Sequence, residues 1–101
     1  MNLLTMAELA CIAGLIGQPV PTENLKFVLE VPEDYIGFYS PGLKIASVPP
    51  DYETRTNPKN IHVHEAVHYI LDMNGMADDW RAENWAIWSA RKFDTWCRDK
   101  S

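Results

Sequence analysis

All three histidines of this 101-residue chain, His62, His64 and His68, fall within seven residues, and Glu65 stands among them. In His64-Glu65-Ala-Val-His68 two imidazoles are four residues apart. On an α-helix such residues lie one above the other on one face, so both rings can reach one ion. Glu65 points about 100° further round, beside such an ion rather than at it. A carboxylate there can take a proton from water that a metal has acidified. With three histidines and seven glutamates in the chain, a chance match to this spacing is on the order of one in a few hundred. His62 lies about 160° from His64 round the helix and is expected to serve structure or surface instead.

That chemistry requires a helix, and the flanking residues predict one over 58–74. Asn57 suits an N-cap, Pro58 the first helical position, and Asn74-Gly75 a left-handed stop. A second helix is expected from Asp78, as its cap, to about Cys97, with Asp79 in the first turn. So short a connection makes the two helices an antiparallel hairpin. His68 then lies about 9 Å from the connecting loop and Glu83 about 7.5 Å from it, at ~1.5 Å per residue. Glu83, the last glutamate of the chain, is therefore the expected third ligand of a zinc ion. Asp78 and Asp79 sit too near the loop to reach. Asp72 shares the histidine face but is about 12 Å along the axis from His64, so its expected role is to orient His68. Ala86 and Ala90 share the face of Glu83 and allow the helices to approach closely.

The remaining elements must hold this pair. Thr5-Met-Ala-Glu8 is a capping-box pattern that predicts a helix over 6–16. Leu25, Phe27, Leu29 and Val31 alternate as in a strand, over 24–31. Residues 35–39 and 43–48 flank Ser-Pro41-Gly42 and read as a hairpin with a type II turn. Residues 49–57 read as a loop. The expectation is one α+β domain over 1–101: an N-terminal helix, a small antiparallel sheet of about three strands, the histidine helix and the glutamate helix. Most of Trp80, Trp85, Trp88, Trp96 and Phe93 are expected in the core, with one apolar patch left outside.

Composition narrows the function classes. A hydrophobic share of 47% and a charged share of 23% are those of an ordinary globular domain. The net charge of −5 and the absence of any basic run argue against nucleic acid or an anionic membrane as partner. No apolar run approaches a membrane span, and the N-terminus lacks the basic start of a secretion signal. Cys11 and Cys97 lack metal-type spacing and read as two reduced thiols in a cytoplasmic protein.

His64-Glu65-x-x-His68, followed by a helix carrying Glu83-x-x-Ala86, resembles the gluzincin metallopeptidases. The preceding Gly37-Phe38-Tyr39-Ser-Pro41-Gly-Leu-Lys-Ile45 resembles the strands ahead of the active-site helix in the ImmA/IrrE branch, and stand-alone minimal gluzincins are a comparable analogy. The resemblance covers roughly residues 35–95. It implies a zincin fold, a Zn²⁺ cofactor held by His64, His68 and Glu83, and Glu65 as general base of peptide hydrolysis. It further implies that the strand at about 43–48 is an edge that pairs with an extended protein or peptide substrate, such as a regulator protein. Tyr39 and Tyr52 are candidates for stabilising the oxyanion. Two other readings stand beside this one: a zinc-stabilised protein-binding module without turnover, and another metal-assisted hydrolase.

Overall fold

The computed structural model describes residues 1–101. Helices α1 (Met6–Leu15), α2 (Ile61–Met73) and α3 (Ala82–Trp96) pack with strands β1 (Lys26–Val28), β2 (Phe38–Ser40) and β3 (Ile45–Ser47) in an α+β arrangement. No helix is long and apolar enough to cross a membrane.

The capping box of α1 forms as its sequence dictates. The Glu8 backbone N–H donates to Thr5 Oγ1 and the Thr5 N–H to Glu8 Oε1, each at 2.9 Å. Glu8 has a second task. Its other carboxylate oxygen accepts the Asp99 N–H at 2.9 Å, while the Thr5 hydroxyl donates to the Lys100 carbonyl. Three residues further on, Cys11 is disulfide-bonded to Cys97, with Cα atoms 5.6 Å apart. This corrects the expectation of two separate reduced thiols. The two cysteines are 86 residues apart in sequence, so no local spacing announces their contact. The cytoplasmic expectation leaned on reduced thiols and loses that support.

The sheet is mixed, not antiparallel. Its order is β1-β3-β2, with β1 parallel and β2 antiparallel to β3. The strand at 45–47 is therefore central, and the edge beside the helices is β2; the substrate-pairing edge expected at 43–48 is corrected accordingly. The expected type II turn is absent as well. The left-handed residue of the hairpin is Lys44 (φ 57°) rather than Gly42, and its N–H closes the turn on the Ser40 carbonyl, four residues back, at 2.8 Å.

Helix α2 runs through the centre. From Ile61 to Asp72 every residue is buried except His64, His68 and Asp72, a stripe at intervals of four. The helix begins at Ile61, three residues later than 58–74 would have it. Asn57 does not cap it, and Asn60, in the left-handed region, makes no cap bond with its side chain. That side chain is used elsewhere: Nδ2 donates to the Ala90 carbonyl and to Asp94, each at 3.0 Å, and Oδ1 accepts from Arg98 at 3.1 Å. The opposite end stops as expected, with Gly75 at φ 72° and the Met76 N–H on the Leu71 carbonyl at 2.7 Å.

Asn60 meeting Ala90 and Asp94, and His68 meeting Glu83, define an antiparallel α2–α3 pair. Ala86 and Ala90 are buried at the crossing, as their size allows. Helix α3 starts at Ala82 rather than near Asp78. Asp79 accepts the Arg81 N–H and grips its guanidinium instead of capping a helix at 78. The tryptophans also depart from expectation. Trp80, in the turn before α3, is exposed; on α3 Trp88 and Trp96 are exposed too and only Trp85 packs against the core, because the small crossing residues take the inward face.

His62 is structural. It is 2% exposed, between Tyr52 and Phe93, with ring centroids 4.6 and 5.6 Å away. Burial, and then the charge of Arg98, push its pKa down to about 4. The unfolded chain takes up this proton near pH 6.5 and the folded one only near pH 4. Stability from this group is therefore complete above about pH 6.5 and falls as pH drops toward 4, by roughly 3 kcal/mol at most. Urea unfolding at pH 7 and at pH 4.5 should show that loss. His62→Phe, which has no proton to gain, should remove it; an unchanged pH dependence in that variant would refute the assignment.

Candidate metal centre

The exposed stripe of α2 faces the first turn of α3. His64 Nε2 is 2.9 Å and His68 Nε2 2.8 Å from the same atom, Glu83 Oε1. All three donors lie within 4.8 Å of one another. The imidazoles are about three-quarters buried while the Glu83 side chain is 65% exposed. Two neutral nitrogens and one carboxylate oxygen are the donor chemistry of a three-ligand zinc centre. Donors about 2.0–2.1 Å from a tetrahedral ion stand about 3.4 Å from each other. A shift of well under 1 Å by the exposed Glu83 side chain would bring both contacts to that spacing. The residues fit the ion.

Electrostatics agree with this. Burial works against the charged Glu83 carboxylate, yet the two imidazoles outweigh it and hold the group below the usual range. Burial lowers the pKa of His68 against the opposing pull of Glu83, which favours the neutral imidazole that a metal requires. Glu65 sits beside the triad at 6% exposure, on the wall of the same cleft. Its burial, and next the charge on Glu83, push its carboxyl up to about 8 in the metal-free protein. No donor lies within hydrogen-bond distance of it, and a cation alongside would favour its charged form.

The cleft occupies about 640 Å³ between α2, α3 and the segment leading into β2. Gly37 forms part of its wall. A Cβ at this position would stand 2.8 Å from Glu65 Oε2 and 2.7 Å from Ile61 Cγ2, so any other residue here would have to displace one or both of those side chains. In the sequence Gly37 stands out only as a lone glycine inside a strand pattern, which signals such an approach. Ile36 and Ile87 are half-exposed apolar residues that flank the triad; nothing in their spacing sets them apart from ordinary surface residues.

The remaining candidates are placed differently. Asp72 does not orient His68. It accepts hydrogen bonds from the Tyr39 hydroxyl and from Lys44 Nζ, each at 2.6 Å, because the hairpin lies directly over the last turn of α2. Tyr39 borders the cleft, but Asp72 holds its hydroxyl proton and the ring is buried. Tyr52 packs on His62, which occupies the buried side of α2 away from the stripe. Compared with known proteins, the chain matches no family model, no curated protein and no solved structure.

Proposed function

We propose that this chain is a small zinc-dependent endopeptidase, a minimal zincin of the gluzincin type. One observation carries the reading: two imidazoles and a carboxylate converge in an open cleft, with a buried, unpartnered Glu65 beside them. A zinc ion held there would supply Lewis acidity, lowering the pKa of water toward neutrality and polarising a carbonyl. The protein's residues supply the rest. His64 and His68 would hold the ion through their Nε2 atoms, and Glu83 through its carboxylate. Glu65 takes the proton from the attacking water on its carboxylate and delivers it to the leaving nitrogen. Ile36, Ile61 and Ile87 keep the cleft wall apolar. The free side of β2 offers backbone groups to an extended protein or peptide substrate. Tyr39 acts on this reading as a positioning residue, fixing β2 to α2 through Asp72, and Tyr52 has no part in the chemistry.

Metal analysis together with a peptide library tests this directly. The purified protein should hold one equivalent of zinc and cleave at least one peptide in a chelator-sensitive way. Glu83→Ala removes one of three protein donors and should weaken zinc binding by about 100-fold or more, beyond the 10–100-fold lost when only a supporting partner is removed. Unchanged affinity in that variant would rule out the triad. A second reading is favoured by the exposed indoles of Trp80, Trp88 and Trp96. There the ion only joins α2 to α3 and the aromatic surface takes a protein partner. It is chosen if chelation lowers the melting temperature while no peptide is ever cut.

A further inference from the structure

The triad lies in the middle of a longer groove whose two ends carry opposite charge. Beyond His64 and Ile87 the main cleft continues into a smaller hollow of about 160 Å³, with Lys59 and Arg91 on its walls. The two hollows share Pro58, His64 and Ile87. At the other end the cleft meets, at Ala77, a recess walled by Asp72, Asp78 and Asp79. The basic end adjoins the start of α2 and the acidic end follows its last turn. Thirteen residues of helix separate them, about 20 Å at ~1.5 Å per residue, which an extended chain spans in about six residues at ~3.3 Å each.

Most of these charges are already paired. Lys59 bonds Asp94 at 3.2 Å, Asp72 bonds Lys44, and Asp79 bonds Arg81. Arg91 and Asp78 are left without an ion-pair partner, one at each end. Between them the wall is apolar: Tyr35, Ile36, Phe38 and Ile87 are all at least 39% exposed. Glu65, more than nine-tenths buried and without a hydrogen-bond donor, is turned into the same space. An exposed apolar wall around a carboxylate that no protein donor engages points to a ligand lying in the groove.

We propose that the groove selects polypeptides by charge order. The preferred segment places an acidic side chain or a C-terminal carboxylate against Arg91, apolar side chains over the triad, and a basic side chain about six residues away near Asp78. This rests on the reading of the cleft as a polypeptide site and adds the class of sequence it accepts. Arg91 is then a specificity-determining residue that touches neither the metal nor the scissile bond.

Binding, not cleavage, is the measurement, so the test is independent of turnover. Four eight-residue peptides with acetyl and amide ends and a Leu-rich centre carry Lys and Glu, Glu and Lys, two Lys, or two Glu, six positions apart. A fifth has the acidic side chain replaced by a free C-terminal carboxylate. Zinc-loaded Glu65→Gln protein is titrated with each by fluorescence anisotropy. One mixed-charge order should bind about three- to fivefold more tightly than its reverse and than either like-charged peptide, the size of an exposed ion pair. The advantage should shrink with added salt. Arg91→Glu should move the preference at that end from Glu to Lys, while zinc content stays the same. Comparison with the fifth peptide tells a side chain from a chain terminus as the acidic group. Equal binding of all peptides, or an Arg91→Glu variant with unchanged preference, overturns the proposal even if peptides are cleaved. Charge-ordered binding with no cleavage in the parent protein leaves the proposal standing and removes the peptidase.

Discussion

Glu65→Gln should keep its zinc and lose peptide cleavage by about 100- to 10,000-fold, the usual contribution of a positioned general base. Glutamine has nearly the same shape, so it meets Gly37 and Ile61 as the glutamate does, but it cannot accept a proton. The same substitution has a second consequence that separates loss of chemistry from loss of fold. In the metal-free parent the Glu65 carboxyl is held up to about 8, first by burial and then by Glu83. A folded-state pKa above the unfolded one stabilises the protein at low pH, and that stability is lost as pH rises from about 4.5 through 8. At pH 8 the parent therefore buries a costly charge that the glutamine variant lacks. Metal-free Glu65→Gln should melt at a higher temperature than the parent at pH 8, with the gap closing toward pH 5. Calorimetry at the two pH values, zinc content and a cleavage assay give the full comparison. A variant that cleaves like the parent removes Glu65 from the mechanism. One that melts lower at pH 8 shows that the carboxylate is stabilised by something other than its charge.

What the sequence revealed of this site followed from short-range geometry. His64 and His68 share a face wherever α2 happens to begin, so the late start at Ile61 changes nothing. Counting rise from the connecting loop puts Glu83 level with His68, and the two stay level although α3 begins at Ala82. The reason is that residues 76–82 advance as successive turns, the Asp79 N–H bonding the Met76 carbonyl and the Ala82 N–H the Asp79 carbonyl. Such turns progress along the axis much as a helix would. The capping box of α1 was legible for the same local reason. Nothing local distinguishes a parallel neighbour from an antiparallel one, so β1 could not be assigned to the far side of β3. The helix face of Asp72 says nothing of Lys44 and Tyr39, which reach it only because the hairpin folds over. The tryptophans obey helical spacing, but Ala86 and Ala90 had already claimed the inward face.

The contact least visible in the sequence should have the second-largest effect. Opening the Cys11–Cys97 bond, by reductant or by a double alanine variant, should lower the melting temperature by roughly 15–40 °C. Closing a loop of this length restricts the unfolded chain by about 4–5 kcal/mol in the chain-entropy picture. A domain of about 100 residues has only about 5–15 kcal/mol in total, and each kcal/mol is worth about 4–8 °C at this size. The bond acts at the end of α3 remote from the metal centre. Glu83 and Cys97 are 14 residues apart on or beside that helix, about 21 Å at ~1.5 Å per residue. Sites so far apart make additive contributions. Zinc adds stability by binding the folded chain, so reduction should cost the same number of degrees with zinc as without it. The Glu8 carboxylate, which still holds the Asp99 N–H, keeps the C-terminal turn on α1 and should preserve zinc content in the reduced protein below its lowered melting point. Scanning calorimetry of oxidised and reduced protein, each with and without zinc, decides the matter. A reduced protein that melts with the oxidised one would show that the disulfide constrains nothing the core does not already hold. Loss of zinc on reduction would show that the two ends of α3 move as one unit.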